Sequence, residues 1–563
     1  MLAKEIPGPT IREGESLNRN LILAAMIFAV AMTFIDQTIV SISIPEIQKD
    51  LGLSSTGVQW IINGYLLSLA ALFALGGKVA DVAGRRRMVV VGVIVFAGAS
   101  ALCGATPKGE FAEAWLIVFR VIQGAGAALM FPAALAIVIS SFPVDSRGKA
   151  MAIFFGISGG LTSIGPIAGG YLSEWTWRAI FWINIPVALI SLFLIWRSKP
   201  EDVRRPEPID YRGAVLIASG MGLAVLGLQQ SATWGWSSPV TIAAIAAGLV
   251  LLVVFVLYES RVKNPLIRIR IFASRGFSVD NVILLLLSIA FVPLFFFAST
   301  YSQISLGWQA SEAGLYLLIF FAGFGTASQW GGKILDSRGA RPALVLGSLI
   351  AAVGFALWAS KLTDLDGGVG AQWPFIVLTG VGIGLVLSPA STDAVNRAPN
   401  TSYGEATGIT QTVRNFGASF GLAVLGSVLI SQNRSNIESS FTELGLPVGQ
   451  ADRVAQSLSQ SGGGDASTMV PHAGAKAEEF FRAVQLDYAM STRTVFYMMA
   501  GVMAVCFIVA LLGSPSGRMR EVILDEDNPS GALPITPVAA AGPAATGIPS
   551  AGQEAPRPDP GSH

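Results

Sequence analysis

The chain has 563 residues, 52% of them hydrophobic and 13% charged, with a mean hydropathy of +0.60. Too few charges are present to coat a soluble globular surface, so the composition specifies a polytopic membrane protein. A net charge of +1 argues against nucleic acid as a partner, and two cysteines in apolar runs with two histidines in polar ones argue against a disulfide framework or a metal site.

Residues 1–19 form a mixed-charge tail without a small-residue cleavage site, so the apolar run behind it reads as a span and not as a removed signal peptide. Fourteen runs approach the membrane-crossing length of roughly 20 residues. Spans 1 to 6 are predicted at 20–44, 57–79, 88–106, 115–139, 150–172 and 178–196. Spans 7 and 8 lie at 211–231 and 239–258, and spans 9 to 14 at 278–303, 313–334, 342–361, 374–393, 408–430 and 492–512. Span 1 contains FIDQTIVSISIP (34–45), and its Asp36 is an acid that the bilayer tolerates only beside a partner or a water-filled cavity. Asp36 is therefore a candidate proton- or cation-handling residue; a fixed ion pair, or an acid near enough to the boundary to reach water, is the alternative.

Loop charge tests the count of spans. The even-numbered junctions carry twenty Lys and Arg, against four (Lys49, Lys108, Arg178, Lys361) in the short odd-numbered ones. That asymmetry predicts both termini in the cytoplasm. Residues 431–491 are predicted as a long polar outer loop with two short helices, 447–460 and 473–488, and residues 513–563 as a Pro-, Ala- and Gly-rich disordered cytoplasmic tail.

The junction after span 2 reads GKVADVAGRRR and that after span 10 reads GKILDSRGAR, so Gly77, Asp81, Gly84 and Arg86 recur as Gly332, Asp336, Gly339 and Arg341. Such a repeat is expected of a transporter built from two six-helix halves. The copies are eight spans apart, which makes residues 20–196 and 278–512 the halves and 197–277 a linker holding two inserted spans. The fold class is thus an all-α polytopic membrane protein with fourteen transmembrane helices.

With these residues in place the sequence resembles the fourteen-helix drug:proton antiporter branch of the major facilitator superfamily over roughly residues 20–512. The loop motif of that superfamily matches Gly77, Asp81, Gly84, Arg85 and Arg86. The span 1 motif is similar at Asp36, Thr38, Ile39, Val40 and Pro45, with Ser41 in place of the usual Asn. RVIQGAGAA resembles the span 4 motif with Arg120, Gln123, Gly124 and Gly126, and GPIAGG resembles the antiporter motif with Gly165, Pro166, Gly169 and Gly170. Trp177, Arg178, Asn184 and Pro186 are similar as well.

The resemblance implies proton-coupled export of hydrophobic or amphipathic compounds by alternating access, with no cofactor beyond the proton gradient, in a cell membrane and by a monomer surrounded by lipid. Asp36 and Arg120 both fall ~8–12 Å deep at 1.5 Å per residue. Two opposite charges at one depth form either a proton switch or a permanent structural pair. Asp81 is expected to approach the start of span 13 near Thr407 and Gly408, and Asp336 to approach Lys149, as gates that must break on opening inward. The glycines of span 5 are expected at the interface between halves. Substrate contacts are assigned to Phe154, Phe296, Tyr301, Gln411, Arg414 and Asp393, with Phe155, Phe295 and Phe297 as further aromatic candidates. Asp81, Asp336, Asp280 and Asp393 fall near span ends, so Asp36 is the one acid expected in the deep core and one proton is expected per cycle. Export of a lipid or envelope component, or a receptor that transports nothing, are alternatives. An enzyme is disfavoured by the lack of a buried His, a Cys nucleophile, paired carboxylates or a P-loop.

Overall fold

The computed structural model describes residues 13–142, 150, 153, 154, 157, 161–202, 204, 208–398, 403–460 and 477–517. The first six helices are α1 (Glu13–Leu51), α2 (Ser55–Ala83), α3 (Arg85–Gly104), α4 (Ala112–Ser141), the described part of α5 (Ile164–Thr176) and α6 (Ala179–Ser198). Two further helices, α7 (Tyr211–Trp234) and α8 (Pro239–Glu259), lie between this group and the next. The second group comprises α9 (Arg275–Ile304), α10 (Ala310–Arg338), α11 (Ala340–Lys361), α12 (Gly368–Asn396), α13 (Tyr403–Glu443) and α14 (Ala477–Gly513). Thirteen of the described helices are long and apolar enough to cross a membrane, and α5 is described over its last thirteen residues.

Short polar signals set the helix ends. Ser54 accepts the Gly57 amide at 2.9 Å to cap α2, and Asp210 accepts the Gly213 amide at 2.9 Å to cap α7. The two repeated junctions both turn on a glycine of positive φ: Gly84 (φ +112°) and Gly339 (φ +87°) each end a helix and start the next. Their amides donate to Ala80 O at 3.1 Å and Leu335 O at 2.9 Å. Gly84→Ala is expected to lower stability by roughly 1–3 kcal/mol, because a side chain is strained at this φ. The added Cβ would also fall 2.5 Å from Asp202 Oδ1, an atom that caps the α3 amide of Arg86 at 3.2 Å. Thermal unfolding of the purified variant checks this; an unchanged midpoint would show that the turn tolerates a side chain.

Glycines bring the helices of each half to backbone contact, the way bilayer helices associate when lipid tails offer no hydrophobic drive. A Cβ on Gly76 of α2 would lie 2.0 Å from Ala128 O of α4, and one on Gly382 of α12 would lie 2.3 Å from Ala351 N of α11. Gly248 of α8 fits against Ala224 of α7 in the same manner, while Leu249, Val250 and Val253 on α8 face outward as a lipid-facing helix requires. α7 leans on α2 and α13. The halves meet chiefly through α1 with α9, α2 with α13 and α5 with α10, with smaller contacts of α4 with α13 and α1 with α10.

We call the end of the bundle carrying loops 77–87 and 332–341 the motif end, and the other the far end. At the far end the structure departs from the expected polar loop. α13 continues to Glu443, Val448–Gln460 is a short helix as expected, and the predicted helix 473–488 has no separate existence: from Ala477 it runs unbroken into α14. No Gly or Pro interrupts residues 477–500, so nothing stops the helix. Phe480 and Val484 pack with Ile437, Phe441, Ala455 and Leu458 into a small core of their own, tied by an Arg434–Asp452 ion pair of 2.6 Å. Ser55 at the head of α2 donates to Ser459 O at 2.9 Å, which fastens this module to the first half.

Candidate functional site

Asp36 is completely buried, and α4 supplies what makes its charge tolerable. Arg120 Nη1 lies 2.6 Å from Asp36 Oδ2 and 2.8 Å from Gln123 Oε1, and Gln123 Nε2 donates to Asp36 Oδ1 at 3.0 Å. Arg120 Nε donates to Ile61 O at 2.9 Å, and the guanidinium carbon stands 4.4 Å from the Tyr65 ring centroid. Residues 120 and 123 lie one turn apart on one helix face, so both converge on the single acid across from them. Gln123 was legible as part of the RVIQG motif; Tyr65 and the Ile61 carbonyl carry no sequence signal and are found only by the fold.

Beside Asp36 on α1, Thr33, Phe34 and Gln37 open onto a narrow cleft between the halves. Its remaining walls are Leu69 and Phe73 of α2, Phe131 of α4, Ser288 and Val292 of α9, and Gln411, Arg414 and Asn415 of α13. Toward the far end, a second cavity is lined by Gln48, Gln59, Phe296, Asn433 and Tyr488 among others. A buried ion pair thus flanks an inter-half cleft that holds aromatic and polar groups together.

Residues 26–216 and 211–422 match the Major Facilitator Superfamily. The chain belongs to that family. It is 35% identical over 428 residues to the tetracenomycin C resistance and export protein of Streptomyces glaucescens, covering 76% of this chain and 78% of that protein. It is 34% identical to the puromycin resistance protein of Streptomyces alboniger, over 72% of this chain and 80% of the other. The multidrug transporter MdtP of Bacillus subtilis is 31% identical over 74% and 76% of the two chains. Among solved structures, an inward-facing bacterial homologue of the human lysosomal transporter Spinster superposes with a TM-score of 0.57 at 17% identity, covering 89% of this chain and 99% of that one. A D-xylose–proton symporter superposes with a TM-score of 0.53 at 15% identity over 80% and 98%. These two likenesses speak to the fold alone.

As a multi-pass member of this superfamily, the chain distributes its motif residues as follows. In the loops, Asp81 pairs with Arg85 at 2.9 Å one turn on, and the Arg86 amide binds Asp202. The start of α13 meets α2 at Phe73, which lies 3.9 Å from a Cβ placed on Gly408. Gly77 fits against Pro132, Gly332 faces open space, Asp336 is exposed, and Arg341 Nη2 donates to Leu511 O at 2.9 Å, joining α11 to α14. Lys149, the expected partner of Asp336, lies outside the described residues, as do Phe155, Gly156, Gly159 and Gly160.

The antiporter motif holds α5 against two helices. A Cβ on Gly165 would fall on Thr38 Oγ1, and one on Gly169 would lie 2.9 Å from Ile39 O, both on α1. Across the interface, a Cβ on Gly170 would lie 2.7 Å from Ala310 O of α10, and one on Gly314 would lie 2.2 Å from the carbonyl of Pro166. Thr38 Oγ1 itself donates to Thr162 O at 2.9 Å.

The substrate candidates divide. Gln411 and Arg414 line the central cleft, and Phe296 lines the far-end cavity. Tyr301 lines neither: its hydroxyl donates to Leu362 O at 2.8 Å and accepts from Gln372 Nε2 at 2.9 Å, inside a packed network with Tyr316 and Trp358. Phe154 is buried in the core, and Phe295 stacks on Phe321 within the second half. Asp393 is held by Arg397 at 2.6 Å and lines neither cavity.

The expectation that Asp280 and Asp393 reach water is corrected. Asp280 is fully buried, the charged groups it interacts with are Asp393 and Arg397, and Asp393 is 3% exposed. Arg397 lies across Gly276, where a Cβ would meet its Cδ at 2.4 Å, and so closes the site off. Distance from a helix end counts residues along one helix and misses the neighbour folded over them. The paired carboxyls that were not visible in the sequence are thus made by the fold.

Proposed function

We propose that this chain exports hydrophobic or amphipathic small molecules in exchange for protons, by alternating access; that its relatives are drug-resistance and export proteins supports the export part of this reading. It is a transporter and not an enzyme, acts as a monomer in the cell membrane, needs no cofactor, and has both termini in the cytoplasm. The charge asymmetry of the loops supports that orientation, with the motif end inward. The observation that carries the reading is the buried Asp36–Arg120–Gln123 network beside the inter-half cleft. Arg120 balances the Asp36 charge in this arrangement, and a motion that draws the guanidinium away would leave a buried carboxylate without its counter-ion, a place a proton can fill. A helix motion that parts them therefore loads or releases one proton, and coupling arises because the two states differ in proton affinity. The loop motif serves as the inner latch, with Asp81–Arg85 and Asp202 organising its turn.

Inverted vesicles given a pH gradient and a panel of amphipathic compounds, with proton movement as the readout, test the reading. Proton movement evoked by such compounds supports it, whereas phospholipid movement with none evoked would transfer the assignment to lipid export. Asp280→Asn is expected to retain coupled export, because that carboxyl lines neither cavity. Coupling lost as fully as in Asp36→Asn would instead make Asp280 a second carrier and the stoichiometry two protons.

A further inference from the structure

Arg414 stands on the wall of the central cleft without a counter-ion. Its Nη1 donates to Gln411 Oε1 at 2.7 Å, its Nε is buried with no partner, and among the described residues no carboxylate pairs with it. The other charge near the cleft is already balanced, since Asp36 is paired with Arg120. The cleft therefore presents one net positive charge, and none of its lining residues is acidic. Around that charge stand Phe34, Phe73 and Phe131, with ring centroids 5.7 Å apart for Phe34 and Phe131 and 5.4 Å for Phe73 and Phe131.

A desolvated guanidinium with no anion is unfavourable, and removing the penalty requires an acceptor of matching shape. Carboxylate, sulfonate and phosphate oxygens fit its planar fork of donors, and an aromatic wall beside it suits an apolar body. Resting on the export reading above, we infer that the cleft selects amphipathic anions, and that Arg414 receives their acidic group while the phenylalanines hold the rest. A cleft built for organic cations would place a carboxylate where Arg414 stands.

Two fluorescent probes with one anilinonaphthalene frame, anilinonaphthalene sulfonate and uncharged phenylnaphthylamine, separate charge from shape. Binding is measured on the full chain in phosphatidylcholine nanodiscs, for the native protein, Arg414→Gln and Arg414→Lys. The native protein binds the sulfonate more tightly; Arg414→Gln weakens sulfonate binding by roughly 10–100-fold, the usual worth of a charge-assisted hydrogen bond, and leaves the neutral probe unchanged. Arg414→Lys recovers part of the loss, keeping charge without the planar fork. Equal loss of both probes assigns Arg414 to packing, and no loss removes it from the site; either overturns the inference. Repeating the titration with phosphatidylglycerol in the disc names the natural source: competition points to a lipid phosphate, and its absence to free organic anions, both within the inferred chemistry. In proteoliposomes, proton-driven export of the neutral probe without preference for the sulfonate would sink this inference alone. Arg414-dependent sulfonate binding without proton-driven export of either probe would sink the export reading alone.

Discussion

Asp36→Asn is expected to abolish uphill export while substrate exchange down its own gradient continues. Asn matches the carboxylate in size and keeps an oxygen to accept from Arg120 Nη1, which lies 2.6 Å from Asp36 Oδ2. What it removes is the titratable group. Deleting one partner of a buried ion pair typically destabilises by about 3–5 kcal/mol because the other charge is stranded. The retained acceptor, the Gln123 and Ile61 bonds and the Tyr65 ring keep Arg120 partly satisfied, so the variant is expected to fold. Proteoliposomes loaded with substrate give both readings from one preparation: exchange against external substrate, and accumulation driven by an imposed pH gradient. Accumulation at the native level by the Asn variant would remove Asp36 from the coupling mechanism.

Gly314→Leu is expected to open the far end. The Cβ it adds would sit 2.2 Å from the Pro166 carbonyl, and that obstacle is backbone, which cannot rotate aside as a side chain would. α5 and α10 must separate, breaking the bonds that Ser311 makes to Glu174 on the same seam. Overpacking of this kind costs about 1–3 kcal/mol, enough to shift a two-state population by roughly 5–150-fold toward the state in which these surfaces are apart. Gln303 reports the motion, since its Nε2 donates across the interface to Ile42 O at 2.9 Å. Both native cysteines are buried, so a cysteine at position 303 labels against a low background. Faster labelling by an impermeant maleimide in the Gly314→Leu variant, with export reduced, is the expected result. Unchanged labelling with normal export would mean that this contact does not hold the far end shut.

The seam shows how far sequence reading reaches. Gly165, Gly169 and Gly170 were recognisable as a motif, and the close approach they permit was expected because small residues have few other uses on a membrane helix. Their counterpart Gly314 belongs to no motif, and nothing in its sequence neighbourhood says that it faces Pro166. The far-end module was misjudged for a related reason. Its polar composition suggests a loop, yet Phe480 and Val484, four residues apart on one helix, are covered by Ile437 and Phe441 of α13 together with the short helix Val448–Gln460.

The sequence by itself determined the class, the helices, the repeat of Gly77–Arg86 in Gly332–Arg341, and the residue pair Asp36 and Arg120. Each follows from a one-dimensional signal: apolar length against bilayer thickness, spacing in a repeated loop, and an acid and a base at one depth. The fold alone shows that Tyr65 and the Ile61 carbonyl complete the Asp36 site, that Asp280 is sealed beside Asp393, that Tyr301 is occupied in packing, and that Arg414 faces the cleft unpaired. The physical reason is common to all four. The environment of a side chain inside a bundle is set by which helix lies opposite, and helices brought together across 113 positions of chain, as Asp280 with Asp393, leave no mark in local pattern.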